Sequence, residues 1–174
     1  PTCAFKDFGA SFLAAAMEEC LLEDRRRAVI LVATSGDTGS AVARAFHRRR
    51  NIDVVILYPS GRVSSLQEQQ LTTVGDNVTA LEVSGSFDDC QRLVKEAFLD
   101  PELSAALPLS SANSINPGRL LPQAFYYIWA RCRFPVDEPV VFCVPSGNFG
   151  NLTAGVYAWQ WGLPLERFLA ATNC

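Results

Sequence analysis

Imidazole, thioether and primary amine are all scarce here: the 174 residues include one histidine, one methionine and only two lysines, Lys6 and Lys95. The single histidine, His47, stands in the run His47-Arg48-Arg49-Arg50, so a zinc site of the usual His/Cys kind and a Ser-His-Asp triad both lack the groups they need. No metal site is expected. The six cysteines, at 3, 20, 90, 132, 143 and 174, form no C-x-x-C pair, and most stand in apolar segments where Cys acts as a small hydrophobe. A reducing, cytosolic compartment is the simpler reading. No apolar run approaches the ~18–20 residues that a membrane helix needs. With a net charge of −3, the chain lacks the basic surface of a general polyanion binder, which argues against nucleic acid as a partner.

What is abundant is apolar: 49% of residues are hydrophobic against 19% charged, enough for a buried core. β-Branched apolar runs recur at Ala28–Thr34, Asp53–Tyr58, Val78–Val83, Val140–Val144 and Phe168–Thr172, each bounded by polar or Gly/Pro residues. Helix-period stretches alternate with them. These are Phe8, Phe12, Ala15, Ala16, Cys20; Ala41, Val42, Ala45, Phe46; Leu93, Val94, Ala97, Phe98; and Leu120, Leu121, Ala124, Phe125, Ile128. The alternation predicts an α/β fold of βα units on a mainly parallel sheet. Arg25–Arg27 and Arg48–Arg50 fall at helix ends and read as solvated charge with no function. Pro135 and Pro139 flank a polar break where a subdomain boundary is expected. The chain opens without Met and stops directly after a strand, which reads as a fragment of a longer protein.

Of the two lysines, Lys95 sits beside Glu96 on a polar helix face and reads as solvated. Lys6 lies in Ala4-Phe5-Lys6-Asp7-Phe8-Gly9, between two aromatics, with Asp7 expected to cap the following helix. A desolvated amine at a helix start loses its proton readily, the condition for a Schiff-base lysine or general base, although a snorkelling lysine has the same signature. Two Gly-containing turns each leave a strand and enter a helix: Thr34-Ser35-Gly36-Asp37-Thr38-Gly39 and Pro145-Ser146-Gly147-Asn148-Phe149-Gly150-Asn151. Each offers N–H, hydroxyl and amide donors at a helix N-terminus and suits either an anion or a plain tight turn. Neither matches the P-loop or dinucleotide fingerprint. A third cluster, Ser110-Ser111-Ala112-Asn113-Ser114-Ile115-Asn116, precedes a helix and is followed by Arg119, whose guanidinium bonds oxyanions in pairs; helix capping is the other reading.

These residues resemble the threonine synthase family, pyridoxal-phosphate enzymes of fold type II with the tryptophan synthase β-subunit-like fold. Pro1–Gly9 is similar to the family's cofactor-lysine segment, Thr34–Gly39 to its substrate-carboxylate loop, Asn113–Asn116 with Arg119 to its substrate-phosphate segment, and Ser146–Asn151 to its cofactor-phosphate loop. The resemblance runs nearly end to end. It implies that Lys6 is the catalytic residue and that the cofactor is pyridoxal 5′-phosphate, bound by Phe5, Lys6, Asp37, Ser146, Gly147, Asn148, Phe149, Gly150 and Asn151. It implies that O-phospho-L-homoserine is bound by Thr34, Ser35, Gly36, Asp37, Thr38, Asn113, Ser114, Asn116 and Arg119 and converted with water to L-threonine and phosphate. Asp37 stands where many relatives have Asn, and Phe8 where some have a second lysine. The implied layout assigns 1–27 to a larger domain, 28–135 to a smaller substrate-binding subdomain and 136–174 to the start of the larger one. Monomer and homodimer are both open. The alternatives are a phospho-lyase or serine/threonine dehydratase on the same fold, or a non-catalytic module that keeps the fold alone.

Overall fold

The first helix, α1 (Lys6–Glu23), leads into a strand, β1 (Ala28–Ala33), that is apolar at every position because it is covered on both faces. Ile30 and Val32 enter one core cluster, Leu31 and Ala33 another. The computed structural model describes residues 2–114 and 116–172. Pro1 of the lysine segment, Ile115 of the Ser/Asn cluster and Cys174 lie outside the described residues. The chain divides into two compact units, Pro1–Asn116 and Pro117–Cys174.

In the first unit, β1 is followed by α2 (Asp37–Phe46), β2 (Ile52–Pro59), α3 (Ser65–Thr72), β3 (Val78–Val83), α4 (Phe87–Leu99), α5 (Pro101–Ala106) and a two-residue strand, β4 (Leu109–Ser110). The sheet order is β3-β2-β1-β4 and every pairing is parallel, with Ala28 opposite Ile52 and Val54 opposite Val78. The expected parallel α/β architecture is present, with β4 as an addition that its brevity hid from periodicity. One face of the sheet holds Ile30, Val32, Val54 and Ile56 with α1 and α2 residues such as Leu13, Val42 and Phe46. On the other face, Leu31, Ala33 and Leu57 pack on Cys90 and Val94 of α4. Successive strands step from β1 to β3 in one direction, whereas β4 lies on the opposite side of β1. The strand order therefore reverses at the carboxyl ends of β1 and β4, the position where parallel α/β sheets open a crevice.

The buried face of α1 differs from the expected one. Gly9, Ala10, Leu13, Ala14, Glu18 and Leu21 are buried, whereas Phe8, Phe12, Ala15, Ala16 and Cys20 are exposed. This helix is apolar on both sides, and the side turned inward carries the small residues that permit close packing on α2. It also carries Glu18, whose carboxylate accepts from Arg49 Nη1 (2.9 Å) and Arg50 N (2.7 Å). Those bonds correct the reading of Arg48–Arg50 as merely solvated. Arg48 Nε and His47 Nε2 in turn hold Asp76 at 2.8 and 2.7 Å. Asp7 is not a cap either: the helix starts one residue before it, and its carboxylate accepts from the Thr2 backbone N–H (2.8 Å) and Thr2 hydroxyl. Of the five described cysteines, all free, only Cys90 is buried, so the small-hydrophobe reading holds there alone.

The second unit contains α6 (Pro117–Leu120), a 3-10 turn (Leu121–Gln123), α7 (Ala124–Arg131), β5 (Val141–Pro145), α8 (Gly150–Gln160) and β6 (Arg167–Ala171), with β5 and β6 paired in parallel. Its core gathers Ala124, Tyr127, Val144, Ala154 and Ala158, with the Tyr127 ring edge-on to Phe142 and Phe168. The inward face of α7 is thus Ala124, Tyr127 and Arg131; of the expected stripe, Leu120, Ala124 and Ile128 pack on this core and Leu121 and Phe125 are exposed. The division between the compact units falls at Asn116/Pro117. The Pro135–Pro139 stretch is a turn inside the second unit, where the buried Arg131 guanidinium donates to the carbonyls of Phe134, Pro135, Val136 and Pro164. In the first unit, α1 shares a core with β1 and α2, so the packing places residues 6–23 with 28–116. No described helix is long and apolar enough to cross a membrane.

The Glu18 carboxyl is held below its usual range, chiefly by the Arg50 backbone N–H and then by the Arg49 guanidinium, against the opposing effect of burial. A carboxyl with a lowered folded-state pKa stabilises the fold above its unfolded value and loses that contribution as pH falls through the folded one. Glu18→Gln should therefore be less stable by about 1–3 kcal/mol at neutral pH. Urea unfolding at pH 7 and below pH 4 checks this: the gap between the two proteins should close at the lower pH.

Candidate functional site at the carboxyl ends of the strands

Three loops meet where the strand order reverses and on the neighbouring strand. The loop after β1, Thr34–Thr38, is shaped from inside by Thr34, whose buried Oγ1 accepts from the N–H groups of Gly36 (3.0 Å) and Gly39 (2.8 Å) and donates to the Gly36 carbonyl (3.0 Å). Gly36 has φ +150°, a conformation that favours glycine, and a side chain there would meet Gln67. Gly39 is glycine for packing, since a methyl group would lie 2.5 Å from Thr34 Cγ2 and 2.9 Å from Leu71 Cδ2. Ser35 and Asp37 are exposed and Thr38 is half-buried, at the start of α2, where the first N–H groups have no intrahelical acceptor.

The loop after β4 is tied to the same end of β1. Asn113 Nδ2 donates to the Ala33 carbonyl at 3.0 Å, and Ser111 Oγ accepts from the Asn113 N–H. Asn116 closes the turn, donating from Nδ2 to the Ser111 carbonyl (2.7 Å) and from its backbone to Asn113 (3.0 Å). Ser114 is half-buried in that turn. The loop after β2 contributes a residue that the sequence did not reveal: Gln67, in the first turn of α3, donates from Nε2 to Asp37 Oδ1 at 2.9 Å. Its sequence signal is the Ser64-x-x-Gln67 capping box. Lys6 is the first residue of α1, half-buried, with half-buried Phe5 as the helix cap and Phe8 exposed.

In the second unit, the loop after β5 repeats the design. Ser146 is buried, donates from Oγ to the Val144 carbonyl (3.1 Å) and from its backbone to Ala171 (2.8 Å). Gly147, Asn148 and Phe149 are exposed, Asn148 Oδ1 accepts from the Gly150 N–H (3.1 Å), and α8 starts at Gly150. Tyr127, also missed in the sequence, places Asn151: its hydroxyl lies 2.5 Å from Oδ1 and 3.0 Å from the carbonyl oxygen of that residue. Burial pushes the Tyr127 phenol up to about 12, so it remains a donor at any physiological pH. Arg119, in α6, is 2% exposed, and burial lowers its guanidinium to about 10, still protonated near neutrality. A buried arginine in this state suits a bidentate oxyanion.

Taken unit by unit, the groups present suit a phosphorylated aldehyde cofactor: the first unit offers the Lys6 primary amine, and the second offers, in its 146–151 loop, a helix start and short polar side chains. At Gly147, neither packing nor backbone conformation calls for glycine: a methyl group would meet nothing within 4 Å of the protein. The open space there leaves the backbone accessible to close approach. Among the described residues, no cluster of His, Cys, Asp and Glu could hold a metal ion.

Comparison with known proteins agrees with this chemistry. Residues 1–173 match the family model described as pyridoxal-phosphate dependent enzyme. The chain is 53% identical to the threonine synthase of Serratia marcescens and 52% to that of Escherichia coli K12, in each case over 99% of the chain and 40% of the relative. A crystal structure of pyridoxal-phosphate-bound threonine synthase from Brucella melitensis superposes with a TM-score of 0.90 at 49% identity, covering 99% of this chain and 38% of that one. The chain thus spans about two fifths of the length of the curated relatives it matches.

The two glycine environments separate experimentally. Gly39→Ala should lower unfolding free energy by about 1–3 kcal/mol, since Thr34 and Leu71 must give way. Gly147→Ala should leave it within about 0.5 kcal/mol of the parent. Denaturant titration of both variants checks the contrast.

Proposed function

The chain belongs to the pyridoxal-phosphate-dependent enzyme family, and from that premise we propose that it is the cofactor-lysine and substrate-loop portion of a threonine synthase, converting O-phospho-L-homoserine and water to L-threonine and phosphate. The observation that carries this reading is the likeness to threonine synthases along almost the whole chain, with the lysine segment and all three donor loops intact and in order. The free cysteines fit a reducing, cytosolic setting.

Pyridoxal phosphate, when bound, supplies the electron sink that lets charge develop at substrate carbon. The Lys6 amine would hold the cofactor covalently and, once displaced by substrate, would move protons at the substrate's Cα and Cβ. Phe5, the residue before Lys6, would line the cofactor site. Ser146, Gly147, Asn148, Phe149, Gly150 and Asn151 hold the cofactor phosphate through backbone and side-chain donors at the start of α8. Ser35, Gly36 and Thr38 orient the substrate carboxylate at the start of α2, with Thr34 fixing the shape of their loop. Thr38, Asn113, Ser114, Asn116 and Arg119 hold the substrate phosphate. Of these, Arg119 brings a full positive charge to the oxygen on which negative charge grows as the C–O bond breaks, and water then adds at Cβ.

The full-length protein loaded with pyridoxal phosphate tests the reading. Wild type should show the visible absorbance of lysine-bound cofactor and release phosphate and threonine in equal amounts. Lys6→Ala should lose both. Arg119→Lys keeps charge but not the planar fork, and should raise KM for O-phospho-L-homoserine on the order of tenfold. Gly147→Ala should fold normally yet retain cofactor less well in equilibrium dialysis. Phosphate released with 2-oxobutyrate in place of threonine would overturn the synthase in favour of a lyase.

A further inference from the structure

The amide of Gln67 is fixed in both directions. Its Oε1 accepts from the Ser64 backbone N–H (3.2 Å) and from Ser64 Oγ (3.1 Å), while the Gln67 N–H returns a bond to Ser64 Oγ (3.3 Å), which closes the capping box at the start of α3. With the oxygen engaged at Ser64, the amide nitrogen is the end that reaches the loop after β1, 2.9 Å from Asp37 Oδ1. The same amide lies against Gly36, where the position of a β-carbon would be 2.6 Å from Gln67 Nε2 and 2.9 Å from its Cδ. Gln67 therefore joins α3 to two consecutive residues of the loop, and only a carboxamide of this length accepts on one side while donating on the other.

We propose that Gln67 is a positioning residue: it fixes the 34–38 loop and holds the Asp37 carboxylate as a hydrogen-bond acceptor directed to α3. The inference rests on the proposed function and deepens it by assigning the loop's conformation to a residue outside it. The physical need is electrostatic. A loop that is to receive a carboxylate carries an acidic residue of its own, and two carboxylates at one helix start repel unless one of them is bound elsewhere. The Gln67 donor binds one oxygen of Asp37 and leaves the N–H groups and hydroxyls of Ser35 and Thr38 for substrate.

Replacing the donor without disturbing the cap tests this. Gln67→Glu keeps the capping box, because glutamate serves that position as well as glutamine, but sets a carboxylate against Asp37. In the full-length enzyme with pyridoxal phosphate, Q67E should raise KM for O-phospho-L-homoserine on the order of tenfold or more, with a smaller change in kcat. A like-charge pair raises a folded-state carboxyl pKa, so Q67E should lose stability relative to wild type as pH rises from 4 to 7. The double variant Asp37→Asn with Gln67→Glu reverses the hydrogen bond, the introduced asparagine amide now donating to the introduced carboxylate, and should remove the pH-dependent deficit and recover most of the KM increase. If KM in Q67E equals that of wild type, or the double variant recovers stability but not KM, the positioning role is overturned. If Q67E does not fold, Gln67→Ala must show the KM increase, and a wild-type KM there overturns the proposal. A wild-type protein without visible cofactor absorbance would instead refute the proposed function.

Discussion

Everything at the carboxyl end of the first sheet depends on one buried hydroxyl. Thr34 follows a strand covered on both faces, and its side chain cannot reach water, so it bonds the backbone that turns around it. By accepting from Gly36 and Gly39 while donating to Gly36, it takes the chain from strand direction to helix direction within three residues. The turn then requires glycine twice, for conformation at Gly36 and for packing on the Thr34 methyl group at Gly39. Loss of the hydroxyl alone would take from the buried Gly36 N–H the acceptor it has here, a costly polar defect, whereas the Gly39 N–H would keep the Gly36 carbonyl.

The other loops are arranged relative to this one by bonds that start from strand order. Because β4 pairs with β1 on the side away from β2, Asn113 lies within reach of the Ala33 carbonyl. Because β2 pairs on the other side, α3 starts close enough for Gln67 to reach Asp37. Side chains 80 and 30 positions from their partners in sequence thus reach the end of β1, at Ala33, and the loop that follows it, at Asp37. The reversal of strand order supplies the crevice, and these bonds decide which donors line it.

Much of this was legible in the sequence. The strand runs, the two Gly-containing turns, the Ser/Asn cluster and the single candidate amine all carry local chemistry, and local chemistry is what a sequence displays directly. The failures share a cause. In α1, Phe8 and Phe12 outweigh Ala10 and Ala14 on any scale of hydrophobicity, yet helix packing selects the small residues, for which close approach is possible. In α7 the buried stripe includes Tyr127 and Arg131, a phenol that bonds Asn151, 24 residues away, and a guanidinium that bonds Pro164, 33 residues away, besides the nearby carbonyls of Phe134, Pro135 and Val136. Arg49 and Arg50 resembled a solvated helix end because nothing nearby announces Glu18. Gln67 was hidden for a related reason, since its capping box is visible and its second bond, to Asp37, is not.

The second unit shows which features of such loops are general. Ser146, like Thr34, is a buried hydroxyl residue at the end of a strand, engaged by backbone, and the residues after it are exposed at a helix start. In both loops the buried residue sets the shape and the exposed ones remain available for a ligand. The glycines differ, however. Gly36 and Gly39 are demanded by the protein itself, whereas nothing in the protein demands Gly147. A position kept free of a side chain by neither backbone strain nor neighbouring atoms leaves its backbone open to close approach. That distinction, drawn from the space around each α-carbon, separates a glycine that builds a loop from one that keeps a loop open.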